Sequence, residues 1–333
     1  MRVRSTVKLS LTLLAVALLT ASCSGSSSTG TTPATSVLPA TATTTVGTTG
    51  APGAAASGCR LPHAAGQSAQ AFDFQGRSRT YQLYVPLHYD GVQRVPVVFE
   101  FHGYGADAVQ QVLYGDFRPL ADRDGFLIVA PDGQGETRHF NLTGEAGLQD
   151  DVAMVGALLD HVEASFCVDT RRVFATGMSD GGLMSSVLAC RSADRFAAFG
   201  PVALVVYVPT CISTRPVAVV AFSGTADPIV PFNGGFVQCC EYTVIGAATD
   251  TMASWAQHDG CSASFAEDRL GTEVRRRIWS GCQAPAAVAF YIIDGGGHTW
   301  PGAVPFPPHG PTTQQIKASD TIWDFFKAHP LTG

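Results

Sequence analysis

Lysine is nearly absent from this 333-residue chain: Lys8, Lys317 and Lys327 are all it has. Charged residues make up 14%, and the formal net charge is -6. No basic run exists, which argues against nucleic acid as a partner, because phosphate binding needs a basic face. Long apolar stretches are also missing. The run at residues 9–19 is too short to cross a bilayer. None of the nine cysteines shows C-x-x-C spacing, which argues against zinc. No internal repeat is visible, and no second globular domain.

What is present begins with an export leader over residues 1–22. Arg2, Arg4 and Lys8 precede the apolar run, and the segment closes Leu19-Thr20-Ala21-Ser22-Cys23. Small residues before a cysteine resemble a bacterial lipoprotein box, with Thr20 where leucine is usual. Cys23 is the expected lipidation site and membrane anchor, with secretion after nearby cleavage as the alternative. Residues 23–57 follow as a tether. From 24 onward they carry no charge and only Val37, Leu38 and Val46 as larger apolar side chains, too little to bury a core. Residues 58–333 form the body. It is large enough for one α/β enzyme domain, and is expected to be a monomer outside the cytoplasm.

With Cys23 set aside, eight cysteines remain, an even number that suggests disulfides. Cys261–Cys282 is the favoured pair, closing a loop around a strand near Val274. Cys190–Cys211 is next. Adjacent Cys239 and Cys240 either bridge each other or pair elsewhere.

The body alternates strand-like and helix-like segments. Buried strands are expected at 81–85, 95–101, 126–130, 172–176, 216–222 and 288–293, and helices at 151–166, 182–190, 249–258 and 317–327. Such alternation predicts a mostly parallel sheet covered by helices on both faces.

Gly177-Met178-Ser179-Asp180-Gly181 reads G-x-S-x-G between one of those strands and one of those helices, the setting of a nucleophile elbow. A serine hydroxyl is too weakly acidic to attack unaided, so an imidazole must take its proton and a carboxylate must hold the imidazole. On such sheets the partners follow in the order Ser, acid, His. Asp227, just beyond strand 216–222, is the candidate acid; Asp250 and Asp259 fall on or near a helix. His298, after strand 288–293 and three glycines, is the candidate base. His258 lies on a helix, and His309 and His329 sit in proline-flanked or terminal segments. The oxyanion donors are expected to be the N–H groups of Asp180 and Tyr104, the latter in the loop His102-Gly103-Tyr104-Gly105. His102 is expected to take a structural hydrogen-bonding role and not that of the base; it is grouped with Trp300, an expected wall of the cleft, as substrate-binding. Asp150-Asp151 reads as a helix cap. Asn141-Leu142-Thr143 is a glycosylation sequon in form only.

Together, His102-Gly103-Tyr104-Gly105, the run 172–182, Gly224-Thr225-Ala226-Asp227-Pro228 and Gly296-Gly297-His298-Thr299-Trp300-Pro301-Gly302 resemble the extracellular polyhydroxybutyrate depolymerase and feruloyl esterase family over about residues 59–329. The resemblance implies an α/β-hydrolase fold, a Ser179–Asp227–His298 triad, an ester substrate, and no metal or other cofactor. The tether is not part of the family core, and no polymer-binding domain is appended. A serine peptidase uses the same triad and is one rival; a catalytically silent binding lipoprotein is another.

Overall fold

A computed structural model describes residues 58–332, except 209, 212, 214 and 238–243. The leader, the tether, Cys23 and the Cys239-Cys240 pair lie outside the described residues.

Ten strands make the main sheet. In chain order they are β1 (Gly66–Phe74), β2 (Arg77–Val85), β3 (Val95–Phe101), β4 (Leu127–Pro131), β5 (Val168–Met178), β6 (Ala198–Val202), β7 (Ala218–Gly224) and, after a small two-stranded sheet of β8 (Gly235–Phe236) and β9 (Val244–Ile245), β10 (Phe265–Leu270), β11 (Val274–Trp279) and β12 (Ala287–Ile293). Their spatial order is β1-β2-β4-β3-β5-β6-β7-β12-β11-β10. The six strands from β4 to β12 are mutually parallel, and an antiparallel pair flanks each side.

Strand geometry explains why β3 is apolar at almost every position. Successive side chains point to opposite faces, so Val97, Phe99 and Phe101 enter one core while Val98 enters the other. All four are fully buried. Each face then needs helices to cover it. On the first lie α3 (Asp151–Ser165), α4 (Asp180–Arg191) and α5 (Ala248–His258), contributing Leu158, Leu188 and Trp255. On the second lie α1 (Ala108–Gly115), α2 (Arg118–Asp124) and α6 (Ala318–Ala328), contributing Val112, Leu120 and Trp323. Burying one such side chain contributes about 1.5–3 kcal/mol.

One helix expected from apolar periodicity starts at an acid-rich cap. Asp150 Oδ1 accepts from the N–H groups of Val152 and Ala153 and starts α3. Its neighbour Asp151 is fully buried and pairs with Arg79 at 2.5 Å. Asp151 Oδ2 also accepts from Asn141 N–H and Gln134 Nε2, tying down the segment before α3. Asn141 is itself buried, with its amide spent on neighbouring backbone, so the sequon has no exposed acceptor.

Disulfides join Cys190 to Cys211 and Cys261 to Cys282, the two pairings favoured from spacing. A third, Cys59–Cys167, fastens the start of the described body to the end of α3. Disulfides of this kind belong to an oxidising, extracytoplasmic environment.

Candidate active site

Ser179 stands between β5 and α4 with φ 58° and ψ -117°. A non-glycine residue at positive φ is strained, and that strain aims the hydroxyl outward at the end of the strand. Its N–H is anchored to the Val202 carbonyl at 2.9 Å. The flanking glycines are required by close approach. A Cβ on Gly177 would sit 2.6 Å from the Phe101 carbonyl oxygen, and one on Gly181 would overlap that same carbonyl. The strand-to-helix turn therefore packs directly on the end of β3.

Asp227 follows β7 and His298 follows β12, adjacent parallel strands, so their loops leave the same edge of the sheet. The loops are stitched together: Thr225 N–H donates to the Ile293 carbonyl, Ala226 N–H to the Gly296 carbonyl, and Gly295 N–H to Thr225 Oγ1. Asp227 Oδ2 lies 2.7 Å from His298 Nδ1. Its other oxygen accepts from the N–H groups of Ile229 and Val230, each at 2.8 Å. Both side chains are almost wholly buried.

Ser179 and His298 line one cavity of about 630 Å³. Its remaining walls come from the loop after β3 (Gly103, Tyr104, Ala106), from α1 (Gln110, Gln111, Leu113, Tyr114), from Ile229, and from the segment 304–309. The lining is mainly apolar, and Leu113, Val304 and Phe306 remain exposed at the rim.

Asp180 follows Ser179, Tyr104 lines the same cavity, and a Cβ on Gly103 would sit 3.4 Å from Ser179 Cβ; the surrounding turns use other donors. Gly105 N–H goes to the Arg138 carbonyl, Ala106 N–H to the Gly103 carbonyl, and Leu183 N–H to the Ser179 carbonyl. Asp180 is the first residue of α4, where N–H groups lack intrahelical acceptors and the helix dipole favours negative charge. Its carboxyl is buried, accepts from Phe140 N–H at 2.9 Å, and is pushed up to about 6 by that burial.

Two sequence expectations need correction. His102 does not line the cavity. It is fully buried against Phe140, Nδ1 donates to the Gly103 carbonyl, and Nε2 accepts from Gly133 N–H at 2.9 Å. Burial lowers its pKa, which keeps the ring neutral as that pattern demands. Trp300 does not line the cavity beside Ser179 either. It is only 1% exposed, packs edge-on to Phe117, and its indole N–H donates to Ser319 Oγ. It borders a separate, smaller cavity of about 250 Å³. A tryptophan two residues past the base is an apolar body that the α2–α6 side of the core claims.

The rival acids and bases are accounted for by position. His258 Nδ1 and Asp259 Oδ1 form a second pair at 2.9 Å, but Asp259 also accepts from Val217 N–H, at the start of β7. That is the opposite end of the strand from Asp227, far from the elbow. His309 is different: it reaches the cavity. Sequence reasoning also missed the α1 wall. The signal was available, because Asp107 and Gln110 form a reciprocal capping box at the start of α1.

A mostly parallel sheet, helices on both faces and a serine on a strained turn at the sheet edge define an α/β-hydrolase of the serine type. Residues 79–276 match the family described as esterase PHB depolymerase. The chain belongs to that family, and is an enzyme that hydrolyses carboxylic esters. The matched span includes Ser179 and Asp227 and stops before His298. Probable feruloyl esterase C of Aspergillus niger is 30% identical over 76% of this chain and 86% of its own length. Feruloyl esterase B of Piromyces equi is 28% identical over 64% of this chain, which spans 41% of that protein's length. Among solved structures, the acetyl xylan esterase from Aspergillus awamori superposes with a TM-score of 0.56 at 17% identity, covering 78% of this chain and 99% of its own; it shares the fold.

Proposed function

We propose that Ser179 is the nucleophile, His298 the general base and Asp227 the group that orients it. The reading is carried by one observation: Asp227 grips His298 Nδ1, and that imidazole shares a cavity wall with a serine held at positive φ. With Nδ1 donating to the carboxylate, Nε2 is left unprotonated and able to accept the serine proton. Ser179 Oγ attacks the ester carbonyl, and its proton passes to His298. The tetrahedral oxyanion is stabilised by the N–H groups of Tyr104 and Asp180. Collapse expels the alcohol, which takes the proton from His298, and leaves an acyl-serine. Water, deprotonated by the same imidazole, releases the acid and regenerates the serine.

The substrates best suited to this site are feruloyl or acetyl esters, or polyhydroxyalkanoate oligomers. Support comes from the family and from a largely apolar cavity that suits an aryl or short acyl chain. We further propose that Cys23 carries a lipid anchor and residues 24–57 act as the tether that holds the monomeric enzyme at the outer face of the cell membrane. Hydrolysis of p-nitrophenyl acetate and butyrate by the wild type and by Ser179→Ala tests the assignment. The variant is expected to fall to background, and equal rates would end it.

A further inference from the structure

We infer that His309 is a specificity-determining residue of this cleft, and that its imidazole selects esters whose alcohol carries a second oxygen close to the ester bond. This rests on the esterase reading above and goes beyond it to the alcohol half of the substrate.

The backbone that fixes the base also fixes His309. His298 N–H donates to the His309 carbonyl at 2.7 Å, and a Cβ on Gly297 would overlap that carbonyl. His309 ends the short turn Pro307–His309, whose prolines limit its freedom. Its ring stands edge-on to Phe306, with centroids 4.7 Å apart, and lies 5.7 Å from the His298 ring. The ring reaches the cavity that Ser179 and His298 line. Burial, with His298 beside it, lowers the pKa. That direction favours the neutral imidazole, which carries one N–H donor and one acceptor nitrogen.

Chemistry decides which half of the ester meets it. The leaving oxygen must take its proton from His298, so the alcohol departs past that ring. A side chain beside His298 on the same wall meets the alcohol, not the acyl chain. Around it the wall is apolar: Ile229, Val304, Pro305 and Phe306 offer no polar side-chain atom. On this wall an alcohol hydroxyl has His309 as its polar side-chain partner, in competition with water at the exposed rim. A neighbouring hydroxyl or ether oxygen, as on a sugar or a hydroxy acid, is the chemical class that fits.

The test compares two butyrates with alcohols of nearly equal size, propyl butyrate and 2-hydroxyethyl butyrate, on the full-length protein. The wild type is expected to favour the hydroxyethyl ester. His309→Ala should lower its kcat/KM on the order of tenfold more than that of the propyl ester, as expected for one lost hydrogen bond, mostly through KM. His309→Gln, which keeps a donor and an acceptor, should restore part of the preference. No wild-type preference, or equal losses on both esters in both variants, overturns the inference. Fluorophosphonate labelling of Ser179 is followed in parallel. Normal labelling without discrimination sinks the role of His309 alone, whereas an unlabelled wild type sinks the esterase site as well.

Discussion

Gly181 lies directly on the Phe101 carbonyl, so the helix that carries Ser179 cannot be separated from the end of β3. Any Cβ at 181 must move helix or strand. Gly181→Ala is expected to destabilise the fold by about 1–3 kcal/mol through overpacking and to lower ester turnover further by displacing the elbow. Urea denaturation together with steady-state kinetics checks both effects. A variant of wild-type stability and activity would contradict the packing described.

Asp227→Asn keeps the shape of the side chain and removes its charge. An amide can present its NH₂ group to His298 Nδ1 and so hold the wrong tautomer, with Nε2 protonated. A comparable change in a serine triad costs about 10⁴ in kcat, and a loss of at least two orders of magnitude is expected here. Folding should be nearly unaffected. Stopped assays on p-nitrophenyl butyrate with a parallel thermal melt separate the two.

Glu100 is fully buried on β3, where burial pushes its carboxyl up to about 8; Gln111 Nε2 donates to it at 3.1 Å. A raised folded pKa means that the folded state holds the proton more tightly than the unfolded state. Its contribution to stability is complete below the unfolded value near 4.5 and is lost as pH rises through about 8. Asp180 and Asp259, each raised by burial to about 6, add losses of the same sign at lower pH. Glu100→Gln should therefore flatten the fall in unfolding free energy between about pH 4.5 and about pH 8 and leave the variant more stable than wild type at the alkaline end. Denaturation series at stepped pH read this directly, and parallel curves for the two proteins would refute it.

The Cys59–Cys167 bridge spans 108 residues. Closing a loop of that size stabilises a fold by roughly 2–5 kcal/mol. The double variant Cys59→Ser with Cys167→Ser is expected to melt several degrees lower, with kcat little changed because the bridge lies at the far end of α3 from the site. Differential scanning calorimetry on the oxidised protein checks it.

The parts of the fold legible in the sequence were those where one physical term dominates. Strands β3, β4, β7 and β12 are buried on both faces and read as apolar runs. The elbow was legible because sterics allow little but glycine around Ser179. Strand β10 was not, because all but one of its residues are exposed. Its stability comes from cross-strand ion pairs such as Asp268–Arg276 at 2.6 Å, which leave no hydrophobic period. Strand β1 is equally solvent-facing over most of its length. At the site, chain order and strand ends pointed to Asp227 and His298. The same reasoning misplaced Trp300 and grouped His102 with the substrate-binding residues, although it foresaw structural hydrogen bonding for His102, because proximity in sequence does not say whether a side chain faces cavity or core. It passed over His309 for the converse reason: eleven residues after the base, a proline-rich turn brings the chain back to the cavity wall.

The central claim is that the Ser179 hydroxyl is activated by the imidazole that Asp227 holds. Its most direct test is peptide mass mapping after reaction with a fluorophosphonate, carried out on the wild type, His298→Ala and Ser179→Ala. A phosphonyl adduct on Ser179 of the wild type, formed far more slowly in His298→Ala and absent from Ser179→Ala, is the predicted result. An adduct that maps to another residue, or that forms at the same rate without the imidazole, would contradict it.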